Sequence, residues 1–223
     1  MNITPKTTPD PVSAIRLSDA QLRWALQAVE EVAGQQGAEI VLRQAGLPQL
    51  IGHYPDGQVE FSGQYCFNDY ARLNSELLTF FGRGGRSMVM RIGRTSYRLA
   101  LERYNALLGA AALAGVKLVP ESKRIKIGLD LMRMTWDRLY SSNHLPTLRI
   151  AVEDRGDRVA YILHDCMACA GHSADAPMCY VATGLFQESL RWLTGQDYDI
   201  RETECRSLGA EACVWEFNKT PKE

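Results

Sequence analysis

Cysteines gather near the end of the chain, among acidic residues that also bind metals. Five of the six cysteines lie between positions 166 and 213, and the sixth is Cys66. The first residues lack the apolar run of a secretory signal, so we expect a cytoplasmic protein, in which disulfides are uncommon. Clustered cysteines in that compartment favour metal or redox chemistry, with burial as small apolar side chains as the alternative.

The pattern around the last cysteines predicts a buried acid beside a buried thiol. Residues 198–204 and 213–217 alternate in polarity, as the two strands of a hairpin do. Strand parity places Glu202 and Cys213 on the apolar face of this hairpin. An unpaired carboxylate is costly to bury, and a zinc ion bound by thiolates and a carboxylate would remove that cost.

Two details of the hairpin leave its ligand set open. Cys205 has the opposite parity to Glu202, so it joins the same site only if a bulge or an early strand end turns it. Glu204 shares the parity of Glu202 and is the rival carboxylate. The alternative without metal pairs Glu202 with an arginine and packs the cysteines as apolar side chains.

A second candidate metal site lies upstream. Cys166 and Cys169 form a CxxC, a common half of a zinc site, and with His172 and Cys179 they offer four ligands. A thioredoxin-like redox motif is a weaker interpretation, because the pair follows a hairpin strand and belongs to no βαβ unit. Two free thiols in a loop are the simplest interpretation.

The segment from Gly82 to Arg94 is rich in glycine and arginine. Such a loop before a helix can bind phosphate through backbone N–H groups, but the lysine and spacing of a P-loop are missing. Solvated or salt-bridged arginines are the alternative. If the ligand carries a carboxylate or phosphate, Arg86 and Arg91 are the predicted contacts.

Helices must position these residues in the first half of the chain. Ser18 to Gln21 reads as a capping box, and Gly34 ends the helix that it begins. Helical periodicity continues over residues 38–45, 67–81, 87–108 and 121–140. The last of these helices is apolar on two faces, which is typical of a helix between a core and a cavity. Aromatic and thioether side chains either line that cavity or fill the core: Tyr97, Tyr104, Met132, Met134, Trp136 and Tyr140.

After Pro146 the polarity period changes from helical to two. Residues 148–152 and 159–163 predict a first hairpin, and a helix over 182–193 separates it from the second. The predicted fold class is therefore α+β, with a helix-rich N-terminal half packed on a four-stranded antiparallel sheet made of two hairpins. We divide the chain into a flexible leader at 1–16, a helical portion at 17–145 and a zinc-containing α+β portion at 146–219 that forms one compact domain with the helices.

Composition limits the function. The chain has 223 residues, 46% hydrophobic content and a formal net charge of −1, which suits one globular domain and gives no reason to expect nucleic acid as a partner. Its apolar stretches are too short to span a bilayer. No dinucleotide fingerprint or Ser/His/Asp set is visible, so we predict no catalytic residues and favour a protein that is not an enzyme.

The segment from Cys179 to Phe217 resembles the end of a 4-vinyl-reductase-type domain. The family signature is a cysteine before a helix, a glycine on that helix, E-T-x-C, a glycine turn and C-x-F. Here these are Cys179, Gly184, Glu202–Cys205, Gly209 and Cys213–Trp215, with tryptophan in place of the final phenylalanine. Sensor domains of phenol- and toluene-responsive activators in this family hold zinc with three cysteines and a glutamate. The resemblance therefore implies a zinc site made of Cys179, Glu202, Cys205 and Cys213.

The resemblance also implies a function. It predicts a zinc-containing sensor or binding domain that holds a hydrophobic ligand, aromatic or tetrapyrrole-like, in a cavity between the helices and the sheet. Stand-alone hydrocarbon-binding proteins and the fold of TRAPP subunits are the nearest relatives that it suggests. Four protein ligands close the zinc coordination sphere, so the ion would be structural.

Other functions follow from the same resemblance. A 4-vinyl reductase, or an accessory or carrier factor in bacteriochlorophyll-type tetrapyrrole metabolism, is the alternative, and a structural assembly subunit is a weaker one. We expect a homodimer, and a regulatory protein partner if the domain acts as a sensor.

Overall fold

Helices occupy most of the chain up to residue 142, and strands occupy most of the remainder. The computed structural model describes residues 1–58, 60–117 and 119–222, without the side chains of residues 83, 103–117, 121 and 122. The helices are α1 (Asp19–Gln44), α2 (Phe67–Phe81), α3 (Gly85–Lys117), α4 (Glu121–Ser142) and α5 (Tyr180–Thr194). The strands are β1 (Ile3–Pro5), β2 (Ile150–Asp154), β3 (Arg158–Leu163), β4 (His172–Ala174), β5 (Tyr198–Glu204) and β6 (Cys213–Pro221).

The main sheet has four antiparallel strands in the order β2-β3-β6-β5. The hairpins β2–β3 and β5–β6 join side by side through β3 and β6, where Tyr161 lies opposite Trp215. This arrangement confirms the predicted α+β fold with a sheet made of two hairpins. Among the described residues, none of the helices combines the length and apolar character that crossing a membrane requires.

Aromatic side chains hold α5 against this sheet. Phe186 of α5 has its ring centroid 5.0 Å from that of Tyr161, 5.2 Å from Trp215 and 5.3 Å from Phe217. These separations are those of favourable edge-to-face and tilted ring pairs. The indole N–H of Trp215 donates to Thr183 Oγ1 at 3.0 Å, so the largest buried side chain leaves no polar atom unsatisfied.

The first 16 residues, predicted as a flexible leader, contact the body of the domain. Strand β1 pairs with β4 in a separate two-stranded sheet. Asp10 forms an ion pair at 2.9 Å with Arg206, which lies 196 residues further along the chain. Local sequence could not predict either contact, because both partners come from the far end of the chain.

Several predicted helix boundaries need adjustment. Ser18 precedes α1 as expected, but its side chain makes no capping hydrogen bond, and the Gln21 amide points to Met167 Sδ at 2.9 Å instead. Gly34 interrupts α1 with φ of 75°, as its position predicts, although helix resumes at once and reaches Gln44. The helix predicted over 87–108 extends further, to Lys117.

Two glycines allow α3 and α5 to cross at backbone contact. A Cβ atom on Gly184 would lie 1.9 Å from the carbonyl oxygen of Met90, and one on Gly93 would lie 2.0 Å from that of Val181. Neither distance can be relieved by rotating a side chain, because the neighbouring atoms belong to the backbone. The crossing therefore requires glycine on both helices.

We expect Gly184→Ala to lower the free energy of unfolding by about 3 kcal/mol, because the added methyl group forces the two helices apart. The measurement is urea unfolding followed by circular dichroism. Gly84→Ala is the matched control, since a Cβ there meets nothing within 4 Å, and it should change stability by less than about 1 kcal/mol. Equal stability of Gly184→Ala and wild type would contradict the close crossing.

Candidate metal centre and ligand cavity

Four predicted metal ligands meet where α5 begins beside the second hairpin. Cys179 is the residue before the first turn of α5, and Glu202 lies on β5. Cys205 precedes the short turn Arg206–Leu208, and Cys213 opens β6. Their ligand atoms all lie within 4.8 Å of one another, so residues from four separate parts of the C-terminal half converge on one point.

A register shift in the hairpin turns Cys205 inward. Glu202 pairs with Trp215, whereas Glu204 pairs with Val214, so one residue is accommodated between them. Strand β5 then ends at Glu204, which leaves Cys205 buried and Glu204 exposed. The bulge and early strand end that the pattern required are both present, and Glu202 is the carboxylate that faces the cysteines.

The sulfur separations in this set suit one small cation. Cys179 Sγ lies 3.7 Å from Cys205 Sγ and 3.8 Å from Cys213 Sγ, and the last two are 4.0 Å apart. Ligands at a zinc–sulfur distance of about 2.3 Å define a tetrahedron with edges of roughly 3.8 Å. All six cysteines are free, and these sulfur atoms lie too far apart for disulfide bonds.

Glu202 is incompletely satisfied without a cation. Its Oε2 accepts a hydrogen bond from the Cys179 backbone N–H at 3.2 Å, whereas its buried Oε1 has no hydrogen-bond partner. Burial, and then the neighbouring Cys205 thiol, raise the pKa of Glu202 to about 9. Burial also raises the pKa of the Cys179 and Cys213 thiols. Three thiols and an orphaned carboxyl oxygen are donors that fit a zinc ion, which would hold them all in their charged forms.

A second four-residue set overlaps the first. Cys166, Cys169, Cys179 and Cys213 also place their sulfur atoms within 4.8 Å of one another. The upstream site predicted with His172 therefore needs correction, because Cys213 takes the fourth position. The His172 ring nitrogen Nδ1 instead lies 2.8 Å from the Ala170 carbonyl oxygen. We name Cys166, Cys169, Cys179, Cys205 and Cys213 the cysteine cluster.

A buried ion pair lies against the cysteine cluster. The Arg206 backbone N–H donates to Cys213 Sγ at 3.4 Å, and the Arg206 guanidinium contacts Asp10 Oδ1 at 2.9 Å. The side chains of Asp10 and Arg206 are 2% and 10% exposed. Burial alone would raise the pKa of Asp10, but Arg206, the Gly171 N–H and Lys6 outweigh it and hold the pKa well below its usual value.

A cavity of about 280 Å³ opens among the helices, away from the cysteine cluster. All five of the named helices contribute to its wall, with most residues from α3, α4 and α5. Three of the four tryptophans of the chain line it: Trp24, Trp136 and Trp192. The wall is mainly apolar, with hydroxyl groups from Ser96 and Ser189. Because all its lining residues belong to helices or the cap of α1, the cavity does not lie between the helices and the sheet, as the sequence predicts.

The predicted ligand-binding residues divide between this cavity and other places. Tyr97, Met132 and Trp136 line the cavity. Met134 is exposed and Tyr140 is buried in the core, where its hydroxyl donates to the Arg16 carbonyl oxygen. Arg86 and Arg91 are exposed on α3 and do not line the cavity that the described residues form, and the side chain of Tyr104 lies outside the described part of the chain.

Other lining residues carry no signal that sequence reasoning could use. Trp24 and Trp192 lie on helices whose periodicity shows one apolar face but not its partner. Gln21, assigned to a cap, also lines the cavity, and its Oε1 is buried without a hydrogen-bond partner. Which helix faces meet depends on long-range packing, which local periodicity does not encode.

Comparison with known proteins identifies a family segment. Residues 159–219 match the family model of the 4-vinyl-reductase-type domain, which confirms the resemblance found in the sequence. This match includes Cys179, Glu202, Cys205 and Cys213 and excludes the helices up to residue 142. No curated protein matches the chain.

Solved structures of H-NOX proteins share the fold over most of the chain. One H-NOX structure concerned with heme distortion has a TM-score of 0.59 and 11% identity, covering 93% of this chain and 97% of that one. Unliganded Fe(II) H-NOX from K. algicida has a TM-score of 0.58 and 14% identity, covering 92% and 98%. Fe(II)NO H-NOX from S. oneidensis has a TM-score of 0.53 and 15% identity, covering 90% and 99%. At these identities the similarity concerns the fold alone.

We expect Asp10→Asn to lower the free energy of unfolding at pH 7 by about 3 kcal/mol, because it leaves Arg206 buried without a charged partner. The pKa of Asp10 is lowered in the folded protein, so its contribution is present above the unfolded pKa of about 3.9 and is lost as pH falls through the folded value. Urea unfolding from pH 7 down to pH 3 should therefore show the difference between variant and wild type narrowing below about pH 4.

Asp157→Asn is the control for this experiment, because the Asp157 side chain is 85% exposed and its ion pair with Arg158 is long, at 3.8 Å. It should change stability by less than about 1 kcal/mol. A difference for Asp10→Asn that is absent at pH 7, or that grows as pH falls, would contradict the assigned ion pair.

Proposed function

We propose that this chain is a zinc-containing domain that binds a small aromatic molecule in the cavity among its helices. The observation that carries the proposal is the cavity itself. It is apolar, approaches the size of small-molecule sites and is lined by three tryptophans. Rigid indole rings supply a large contact area for a flat apolar ligand at a small cost in side-chain entropy.

One polar group points to the chemistry of the ligand. Gln21 lines the cavity with an amide oxygen that is buried and has no partner, while its amide nitrogen contacts Met167 Sδ. A ligand with one hydroxyl or amine donor would satisfy this oxygen, and leaving it unsatisfied costs about 1–3 kcal/mol. An aromatic ring bearing a hydroxyl group therefore fits the wall better than a plain hydrocarbon.

Zinc has a structural role in this proposal. Cys179, Glu202, Cys205 and Cys213 supply four protein ligands, which complete the coordination that structural zinc prefers and leave no open position for a substrate. The ion would fasten the start of α5 to the second hairpin. Five buried thiols that form no disulfide suit a reducing compartment, which supports the cytoplasmic location predicted from the sequence.

A tetrapyrrole ligand is the second candidate, favoured by the match to the 4-vinyl-reductase-type domain and by the heme of the H-NOX proteins that share the fold. Heme iron is usually held by histidine, cysteine, methionine or tyrosine. Among the described lining residues there is no histidine or cysteine, whereas Tyr70, Tyr97 and Met132 are present. A heme bound through histidine therefore does not fit the described wall. The homodimer and the regulatory partner stay predictions.

We expect the purified protein to bind p-cresol more tightly than p-xylene by about tenfold, because only p-cresol can donate a hydrogen bond to Gln21. Isothermal titration calorimetry with both compounds measures the ratio. Gln21→Leu should bring the two affinities together. Ala100→Phe should abolish binding of both, because its ring would fill the cavity that Ala100 lines.

Met134→Phe is the matched control, since Met134 is 55% exposed and does not line the cavity; it should bind both compounds as wild type does. Failure of wild type to bind either compound would refute the proposal. Binding of protoporphyrin IX in their place would establish the second candidate.

We expect removal of zinc with a chelator to lower the melting temperature by about 10 °C, because the loss of about 3 kcal/mol has roughly this effect in a chain of this size. Cys205→Ser should lower it similarly and should make the protein less responsive to the chelator. Differential scanning calorimetry checks both. Cys66→Ser is the control, because Cys66 lies outside both candidate ligand sets; an unchanged melting temperature after chelation of wild type would count against a structural ion.

A further inference from the structure

The cysteine cluster and Glu202 together form two complete four-ligand sets. The first contains Cys179, Glu202, Cys205 and Cys213, and the second contains Cys166, Cys169, Cys179 and Cys213. The sets share only Cys179 and Cys213. Six donors arranged in this way can surround two tetrahedral ions that have two ligands in common, which zinc and cysteine thiolates are able to form.

We propose that this chain holds two zinc-class divalent ions, bridged by the thiolates of Cys179 and Cys213. Cys166 and Cys169 complete one ion, and Glu202 and Cys205 complete the other. The inference rests on the zinc site of the proposed function and adds a second ion and the bridge to it.

Sulfur separations in the second set match those in the first. Cys166 Sγ lies 3.7 Å from Cys179 Sγ, and Cys169 Sγ lies 3.5 Å from Cys213 Sγ. The shared pair, Cys179 and Cys213, is 3.8 Å apart. All three distances are near the edge of a tetrahedron around one zinc ion, roughly 3.8 Å. The shared pair therefore has the spacing of an edge common to two tetrahedra.

A single ion leaves one end of the group unexplained. With zinc only in the set that contains Glu202, Cys166 and Cys169 stay as thiols that are 1% and 0% exposed beside charged sulfur atoms. With zinc only in the set of four cysteines, the buried Oε1 of Glu202 keeps no partner. Two bridged ions give every one of the six donors a ligand bond, which buried polar groups require.

The surroundings favour the charge that this arrangement carries. Five thiolates and one carboxylate outweigh two divalent cations by two negative charges. The Arg206 guanidinium lies in the same buried region, and its Nη1 has no hydrogen-bond partner. The Arg206 N–H donates to the bridging Cys213 Sγ at 3.4 Å, and the Ser207 hydroxyl lies 3.0 Å from Cys205 Sγ. Such donors stabilise metal-bound thiolates.

Separate hydrogen bonds hold the two halves of the group together. The Asn74 amide of α2 donates to the carbonyl oxygens of Ala168 at 2.9 Å and Met178 at 3.0 Å. Ala168 lies between Cys166 and Cys169, and Met178 precedes Cys179. One buried side chain thus positions the CxxC relative to a bridging cysteine before any metal binds, which favours binding at both sets.

Metal content per chain tests the proposal. Wild type, expressed with zinc and analysed by mass spectrometry of the elements, should contain two zinc ions. Cys166→Ser, Cys169→Ser and Cys205→Ser should each contain one, because each removes a ligand that belongs to one ion. Cys66→Ser should keep two. The bridging cysteines are left intact, since their loss would disturb both ions at once.

Cobalt substitution tests the bridge in wild type without any mutation. Two Co²⁺ ions that share thiolates are magnetically coupled, so the magnetic moment per chain should fall below that of two independent ions, together with intense thiolate-to-cobalt absorption. Independent moments would overturn the bridge. Iron with acid-labile sulfide would also overturn the proposal, because it indicates an iron–sulfur cluster.

The two proposals fail in different ways. One zinc that Cys205→Ser removes and Cys166→Ser and Cys169→Ser leave in place would overturn the second ion and keep the zinc site of the proposed function. One zinc with the reverse pattern would overturn the bridged pair and move the site to the four cysteines. Absence of bound metal from folded wild type that still binds p-cresol would remove both metal sites and keep the ligand cavity.

Discussion

Keeping five thiols and a carboxyl group out of water is the constraint on which the C-terminal half depends. The cysteine cluster is fully buried, and one oxygen of Glu202 has no hydrogen-bond partner. Each of these groups is costly to bury in its charged form unless a cation or a donor opposes it. The loop after β3, the start of α5, the end of β5 and the start of β6 all meet here, so whatever satisfies the cluster also fixes the junction of these elements.

Helix α5 connects this junction to the cavity. Its first turn follows Cys179, its middle crosses α3 at Gly184, and its later residues, such as Ser189 and Trp192, line the cavity. A backbone contact as close as the one between Gly184 and Met90 leaves little room for sliding, because cores and crossings are densely packed. Gln21 provides a second connection, since it lines the cavity and contacts Met167 inside the CxxC. A ligand that binds Gln21 would therefore bear on both ends of the molecule.

Sequence reasoning succeeds where the determining contacts are local. The alternation of β5 and β6 predicts the inward Glu202 and Cys213, and parity even shows that Cys205 needs the irregularity found between Glu202 and Glu204. The family resemblance selects the same set of four residues. It fails where partners are distant: Cys169 approaches Cys213, which is 44 residues away, and Asp10 approaches Arg206 across 196 residues. No periodicity encodes such pairs, because they depend on how whole elements pack.

The cavity illustrates the same division between fold and function. H-NOX proteins share this fold at TM-scores of 0.53 to 0.59, and heme is named for some of them. In the described part of this chain, however, the wall offers tryptophans, hydroxyl groups and one unsatisfied glutamine oxygen where a histidine ligand would be needed. A fold supplies the space between helices, and the residues that line it decide the ligand. The chemistry of this wall therefore favours a neutral aromatic molecule with one donor group over an iron-bound cofactor.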